Sequence, residues 1–386
     1  MKILITTDWY VPVINGVVTS IVNLTKGLQE LGHEVKILTL SQNNRSFKDG
    51  QVVYIGSISA NRIYPGARIA LTYENKYIEE LIKWQPDIVH SQCEFSTFRM
   101  ALNISQEVNI PIVHTYHTVY EDYTHYISVN KRIGKKLAVL FTRRILEYTN
   151  CVIVPTEKVR SLLNEYGVNK EIHVVPTGID LDRFNISLDI FKKQELRKRV
   201  GIPEGNRVLI YVGRLAKEKN LEEILLFLSR LNDKKLTLLI VGDGPYRDVL
   251  EEYVDKLGVR DKVIFTGMVS PNEIHLYYQI GDVFVSASNS ETQGLTYIEA
   301  LASGLPALCK KDPCLKDVIR DGINGWQYET FEHFSEKLDF MLKKSTYDKL
   351  SRNAKLQAMK EYSSSTFAER IENVYRNVSP ISYSIV

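Results

Sequence analysis

The chain has 386 residues, 25% of them charged, with a formal net charge of +3 at pH 7. That length suits two domains, each with room for a substantial core, and so even a balance gives no electrostatic reason to expect nucleic acid as a partner. Cys93, Cys151, Cys309 and Cys314 sit in or beside apolar runs, without CxxC spacing or a His/Cys metal pattern, and read as reduced core residues of a cytoplasmic protein. The opening Met-Lys-Ile-Leu-Ile-Thr-Thr reads as a strand, and no apolar run reaches the roughly 18 residues that cross a bilayer.

Lys2–Thr7 is predicted as the first strand. Val17, Ile21, Leu24, Leu28 and Leu31 then recur at helical spacing until Gly32, and Glu34–Leu40 is the second strand. Further strands are expected at Asp87–Ser91, Ile110–His114, Cys151–Pro155 and Ile172–Pro176, with helices between them. From Arg207 the alternation restarts. Strands are expected at Val208–Val212, Leu236–Val241, Val263–Thr266, Val283–Ser286 and Pro306–Cys309, with helices near 221–231, 247–257, 271–280 and 294–303. Alternation of this kind predicts parallel sheets covered by helices, here two doubly wound α/β domains at 1–177 and 178–361. Gly178, the charged run Phe191–Val200 and Pro203-Glu-Gly205 mark the connection as a linker with a short helix. A last helix at 364–377 is expected to return, with the segment from about 362 to 386, onto the first domain. Ligands of such sheets bind beyond the carboxyl ends of the strands, so two facing domains would hold theirs in the cleft between them.

Glu291 and Glu299 stand eight positions apart with Gly294 between them, directly after an apolar strand. If a helix opens near Gly294, the N–H groups of Gly294, Leu295 and Thr296 are unpaired donors at its positive end, where a diphosphate is favoured. Glu291, still in the loop, can accept from sugar hydroxyls, and Glu299, more than a turn inside, can hold ribose hydroxyls. The spacing alone serves an acid-rich first helical turn equally well. Gly213-Arg214-Leu-Ala-Lys-Glu-Lys219-Asn220 puts two cations at a strand end, where they could stabilise charge growing on a leaving phosphate without a metal. A solvated basic turn is the alternative.

Two glycine turns carry weaker signals. Val241-Gly242-Asp-Gly-Pro245 could bring backbone close to a base or phosphate, and Thr266-Gly-Met268-Val269-Ser-Pro271 could offer backbone groups to a base edge. Both are also ordinary connections. In His114-Thr-Tyr-His117-Thr118, His114 falls within a strand while His117 emerges at its end, which favours His117 as a sugar contact over a structural histidine. Gly16, behind the loop Asp8–Asn15, lets backbone approach the donor phosphates, or simply starts a helix.

In this order, Gly16, His117, the Gly213-Arg214…Lys219 loop and the Glu291–Glu299 pair resemble the retaining glycosyltransferases of family 4, which include phosphatidylinositol mannosyltransferases and bacterial glucosyl-diacylglycerol synthases. The resemblance covers nearly the whole chain and implies GT-B architecture, two Rossmann-like domains facing across a cleft. It implies Glu291 on the transferred sugar, Glu299 on the ribose, Arg214 and Lys219 on the diphosphate, and His117 near the reacting carbon. It also implies retention of configuration with no obligatory metal. His114–Tyr126 together with Asn15-Gly-Val-Val-Thr-Ser20 is similar to the α-monoglucosyldiacylglycerol synthase branch. That implies UDP-glucose as donor, diacylglycerol as acceptor, and a cytoplasmic enzyme peripherally associated with the inner face of the plasma membrane. Activation by anionic lipid would be compatible with it.

The segment Lys131–Arg144 adds six basic residues and no acid, with Ile133, Leu137, Leu140, Phe141 and Ile145 recurring along one helical side and Arg144 intruding on it. It suits an anionic membrane surface, or a core helix with a solvated basic face. Arg62-Ile-Tyr-Pro-Gly-Ala-Arg-Ile69 is a second apolar and basic stretch that could dip into an interface or fold back on its sheet. The competing functions are a soluble family 4 transferase acting on a polysaccharide, a protein or a small-molecule acceptor such as a thiol precursor, a sugar-nucleotide epimerase, and a non-catalytic GT-B partner protein. The intact set of Arg214, Lys219, Glu291 and Glu299 argues against the last.

Overall fold

The computed structural model describes residues 1–13, 15–61, 66–117, 131–231, 233–288 and 291–378. The chain divides into two compact units. Unit 1 comprises Met1–Gly178 with Ser364–Val386, and unit 2 is Ile179–Ser363.

Unit 1 contains strands β1 (Lys2–Thr6), β2 (Glu34–Leu40), β3 (Phe47–Asp49), β4 (Val52–Ile55), β5 (Ser57–Ser59), β6 (Arg68–Ala70), β7 (Ile88–Ser91), β8 (Ile112–Thr115), β9 (Cys151–Val154) and β10 (Glu171–Val174). Eight of them form one sheet in the order β10-β9-β8-β7-β1-β2-β4-β3, parallel except for β3 against β4, while β5 and β6 pair as an antiparallel hairpin. The chain leaves β1 toward β2 and later returns to β7 on the other side of β1. The carboxyl ends of β1 and β7 therefore flank a topological switch point. Both faces are covered: Ile3, Ile5, Ile88 and Val113 pack on one side, Leu4, Val89 and Ile112 on the other. That is why these strands read as continuous apolar runs.

The helix Gly16–Glu30 starts where Asn15, in extended conformation, accepts from the Val18 N–H at 2.9 Å. It buries Ile21, Leu24 and Leu28 together with Phe367, Ala368, Ile371, Val374 and Tyr375 of the helix Ser364–Val378. Gly27 makes this crossing possible, because a Cβ there would lie 2.7 Å from Ala368 Cβ and 2.8 Å from the Ser364 carbonyl oxygen. Truncating Ile371 to Ala should cost about 2–5 kcal/mol.

Unit 2 repeats the plan with β11 (Arg207–Val212), β12 (Leu236–Val241), β13 (Val263–Gly267), β14 (Val283–Ser286), β15 (Ala307–Lys310) and β16 (Gly325–Tyr328), all parallel in the order β13-β12-β11-β14-β15-β16. Its switch point lies between β11 and β14. The charged run 191–200 is part of this unit rather than a free linker: it lies in the helix Ile190–Val200, whose Leu196 is buried in the core along with Ile202. Arg197 donates to the Ile280 carbonyl and to Asp282 at 2.8 Å each, and Asp282 also accepts from the Val208 N–H.

The strands missing from the sequence reading are β3 to β6 and β16. β3 is fully exposed and three residues long, so it carries no alternation, and β16 is Gly-Trp-Gln-Tyr, with too few apolar positions to announce a strand. The helix expected near 271–280 is confined to Ile274–Tyr278. All four cysteines are buried and free.

Candidate active site

The carboxyl ends of β11 and β14, beside the switch point of unit 2, carry the charged residues. After β11 the chain turns through Gly213 and Arg214 into a 3₁₀ turn, Lys217–Lys219, and after β14 it runs to Glu291 and the helix Leu295–Ala302. Because β11 and β14 are neighbours in the sheet, Lys219 and Glu291 meet: Lys219 Nζ donates to Glu291 Oε1 at 2.6 Å, with both side chains mostly buried. Arg214 is half-exposed and bonds Glu218 at 2.5 Å.

Gly294 precedes the helix with φ +76°, and a Cβ there would lie 2.6 Å from the Tyr297 ring. The helix thus starts at Leu295, with Leu295 and Thr296 in its first turn. Glu299 lies in the next turn, half-buried, and accepts from the Tyr278 hydroxyl at 2.8 Å. Burial pushes its carboxyl up to about 7, against the lowering effect of the Tyr278 hydrogen bond and of Arg183.

Gly242 has a packing reason of its own. A Cβ at this position, φ +135°, would lie 2.0 Å from the Gly213 carbonyl oxygen, so the loops after β11 and β12 touch backbone to backbone. The Gly242 N–H also donates to the Gly267 carbonyl at 3.1 Å, which places the loop after β13 next in line. On that loop Val269 packs against the core, while Met268 is 72% exposed. A flat apolar ligand edge would find Met268 available there.

In unit 1, Gly16 is the first residue of the helix behind Asn15, at the carboxyl end of β1. His114 lies within β8, fully buried, bonded to Glu94 at 3.3 Å and edge-on to Phe98. His117 lies two residues beyond the end of β8, half-buried, with Nε2 2.6 Å from Gln92 Oε1. Desolvation, with help from the neighbouring His114, pushes His117 down to about 3, so the ring is neutral. Asp8, at the same carboxyl edge, is pushed up to about 6, first of all by burial.

In the helix Lys131–Glu147 part of the expected apolar side is exposed, while its Phe141 and Ile145 are partly buried. Ile133, Leu137 and Leu140 are 54%, 51% and 60% exposed, whereas Gly134, Ala138, Thr142 and Leu146 form the buried line. Leu146 clusters with Val152 and Val154 of β9 and the Thr142 hydroxyl lies 3.3 Å from that of Tyr116, while the larger apolar residues form an exposed ridge beside Arg132, Lys136, Arg143 and Arg144. Arg62–Pro65 of the second apolar and basic stretch, and Thr118–Tyr126 of the acceptor-like segment, lie outside the described residues.

Residues 14–183 match the model of "Glycosyltransferase Family 4" and residues 192–357 that of "Glycosyl transferases group 1". The alpha-monoglucosyldiacylglycerol synthase of Streptococcus pneumoniae is 40% identical over 334 residues, 85% of this chain and 75% of that protein. The chain belongs to glycosyltransferase family 4. The enzyme of the same name from Acholeplasma laidlawii is 34% identical over 389 residues, covering 97% of this chain and 96% of that one. The sucrose-phosphate synthase structure from Thermosynechococcus elongatus superposes with a TM-score of 0.77 at 18% identity, covering 98% of both chains. Anabaena HepE, solved in complex with UDP-glucose, superposes with a TM-score of 0.75 at 16% identity over 98% of this chain and 100% of its own. The fold is GT-B, and the protein is a nucleotide-sugar-dependent hexosyltransferase.

For this glycosyltransferase, sequence reasoning named Lys219 and Glu291 as candidates but not that they pair, and it missed the groups that bond the candidate residues. Glu218 and Tyr278 were invisible as partners because their spacing to Arg214 and Glu299 has meaning only once the loops are folded. Gln92 had a signal: it stands two residues after His90, on the same side of an extended chain. Among the described residues, no group of three or more His, Cys, Asp or Glu is placed to hold a metal ion, and no helix is long and apolar enough to cross a membrane.

Proposed function

We propose that this enzyme transfers glucose from UDP-glucose to 1,2-diacylglycerol at a membrane surface, with retention of configuration, giving an α-glucosyl-diacylglycerol. The observation that carries the transfer is the Lys219–Glu291 pair at the switch point, beside the start of the helix Leu295–Ala302. A diphosphate arriving at that helix end meets Lys219 and Arg214 and the N–H groups of Gly294, Leu295 and Thr296. Negative charge growing on it as the glycosyl bond breaks falls where fixed cations and amides already point. Glu291, released from Lys219, accepts from sugar hydroxyls, and Glu299 accepts from the ribose. Gly242, Met268 and Val269 serve the base, Gly16 the phosphates, and neutral His117 the sugar.

The names of the two alpha-monoglucosyldiacylglycerol synthases support glucose and diacylglycerol as the substrates. The exposed ridge Ile133, Leu137 and Leu140 beside basic residues supports peripheral attachment to an anionic surface, such as the inner face of the plasma membrane, and activation by anionic lipid. The test offers labelled sugar nucleotides with diacylglycerol in anionic and neutral vesicles and identifies the glycolipid. α-Glucosyl-diacylglycerol formed from UDP-glucose is the expected product; glycosylation of a soluble acceptor alone would overturn the reading. Replacing Arg132, Lys135 and Lys136 by Gln should weaken sedimentation with anionic vesicles by on the order of 10²-fold, since each basic residue near the surface contributes roughly 1 kcal/mol. Binding indifferent to lipid charge and to these substitutions would remove the helix from the membrane contact.

A further inference from the structure

β7 and β8 pair in parallel, with His90 opposite Val113 and Ser91 opposite His114. Side chains two apart share a face. On the face toward the helix Ser364–Val378 stand His90 and Gln92 from β7 and its exit, and Thr115 and His117 from β8 and its exit. His114 projects to the opposite face, against Phe98. The four form a connected ladder rising to the carboxyl edge. His90 Nε2 lies 2.6 Å from Thr115 Oγ1 and 3.0 Å from Gln92 Nε2, and Gln92 Oε1 lies 2.6 Å from His117 Nε2. At its foot His90 Nδ1 lies 2.6 Å from the hydroxyl of Tyr375. His90, Gln92, Thr115 and Tyr375 are all buried.

An amide has one accepting end and one donating end, so Gln92 gives this ladder a direction. Its Oε1 faces His117, which requires the proton of that imidazole on Nε2. Its NH₂ group then faces His90 Nε2, whose single lone pair it shares with the Thr115 hydroxyl, so the proton of His90 is on Nδ1 and is donated to Tyr375. Burial depresses both histidines, keeping them neutral. A neutral imidazole with Nε2–H committed to Gln92 has one free valence, the lone pair of Nδ1.

We propose that Gln92 is a positioning residue which, anchored through His90 to Tyr375, holds His117 in its Nε2–H tautomer, so that His117 meets the donor sugar as a hydrogen-bond acceptor for one of its hydroxyls. This rests on the reading of His117 as a sugar contact. The hydrogen-bonded partner of one ring nitrogen decides what the other can do, and a side chain from the end of the polypeptide thereby sets the polarity of a group near the sugar. A sugar hydroxyl is recognised as a donor; an analogue that can only accept at that position, such as a deoxyfluoro sugar, is disfavoured.

The decisive measurement is made on the unmodified enzyme. Long-range ¹H–¹⁵N spectra of the full chain labelled with ¹⁵N-histidine, assigned with His117→Gln, should show a protonated Nε2 and an unprotonated Nδ1 for His117 at pH 7. The opposite tautomer, or an even mixture, overturns the proposal. Gln92→Leu should mix the tautomers and lower kcat by on the order of 10- to 10²-fold, the usual cost of losing a partner that orients a functional imidazole, while UDP affinity changes less than about twofold. Gln92→Glu should place a carboxylate against Nε2, raise the pKa of His117 and introduce an acid limb in the kcat–pH profile near neutrality that the unmodified enzyme lacks. An unchanged tautomer and rate in Gln92→Leu, or an unchanged pH profile in Gln92→Glu, would remove Gln92 from this role. If the tautomer is as stated but His117→Ala keeps the full rate, the sugar assignment fails and the ladder stands as structure alone.

Discussion

The two units share one order of parallel strands about their switch points and handle polarity there in opposite ways. In unit 1 the residues at the carboxyl edge are driven toward neutrality: burial holds His90 well below the ordinary histidine range, lowers His117 to about 3 and raises Asp8 to about 6. In unit 2 the corresponding edge keeps its charges and pairs them, Lys219 with Glu291 and Arg214 with Glu218. A parallel sheet fixes where side chains converge, not what chemistry converges there. A transferase has use for both kinds of edge. Charge that grows on a leaving diphosphate calls for cations, whereas a sugar, which stays uncharged until the bond breaks, is oriented best by neutral donors and acceptors of fixed direction.

The contrast breaks most visibly at Lys219. Lys219→Ala removes a preorganised cation and leaves Glu291 without it, so transfer should fall by on the order of 10²-fold or more, with a smaller loss for the half-exposed Arg214→Ala. Near-normal turnover in both variants would show that unit 2 does not act through charge. His117→Ala should lower kcat by about 10²-fold while UDP binds nearly normally in titration calorimetry, because a group that serves the sugar contributes little to nucleotide affinity. Weakened UDP binding would instead put His117 among the nucleotide contacts.

The smallest effect sharpens the comparison, since Glu299 is the one site carboxylate of unit 2 that burial pushes toward neutrality, to about 7. Hydroxyl donors from ribose favour its ionised form, so binding should release a proton. UDP affinity should then rise with pH toward about 7, by at most about tenfold for each pH step of one, and level off above it. Glu299→Gln should flatten that slope. For stability the sign is reversed. A carboxyl raised by folding contributes fully below its unfolded value, and that contribution is lost as pH rises through about 7. Glu299→Gln should therefore raise the melting temperature more at pH 8 than at pH 5. An equal change at both values would mean that the carboxyl titrates normally.

Much of the fold was legible because a parallel sheet covered on both faces writes each strand as an apolar run between helical patterns, as in Val208–Val212 and Leu236–Val241. The edges were not: β3 and β16 lack those runs. Among the candidate residues, Glu291 and Lys219 were legible as chemistry at strand ends, but their pairing depends on β14 lying beside β11, an adjacency that no local pattern encodes. On the helix Lys131–Glu147 the apolar residues Ile133, Leu137 and Leu140 are exposed, as the membrane-facing alternative expects, while the buried line Gly134, Ala138 and Thr142 consists of small residues that carry little weight in an apolar periodicity. Gly242 looked like a ligand contact and has a steric reason to be glycine in any case.

The helix Ser364–Val378 also orders events during synthesis. The apolar face of the helix Gly16–Glu30 has no cover from Phe367, Ile371 and Tyr375 until the ribosome has made all of unit 2, and His90 lacks its hydroxyl partner for the same interval. At about 5–20 residues per second the synthesis of unit 2 alone adds roughly ten to forty seconds to that wait. Unit 2, continuous from Ile179 to Ser363, can close its core first. The unit that is translated first is thus completed last, and a nascent chain holds an open hydrophobic groove along Ile21, Leu24 and Leu28 that a chaperone or a second nascent chain could occupy before its own last helix does.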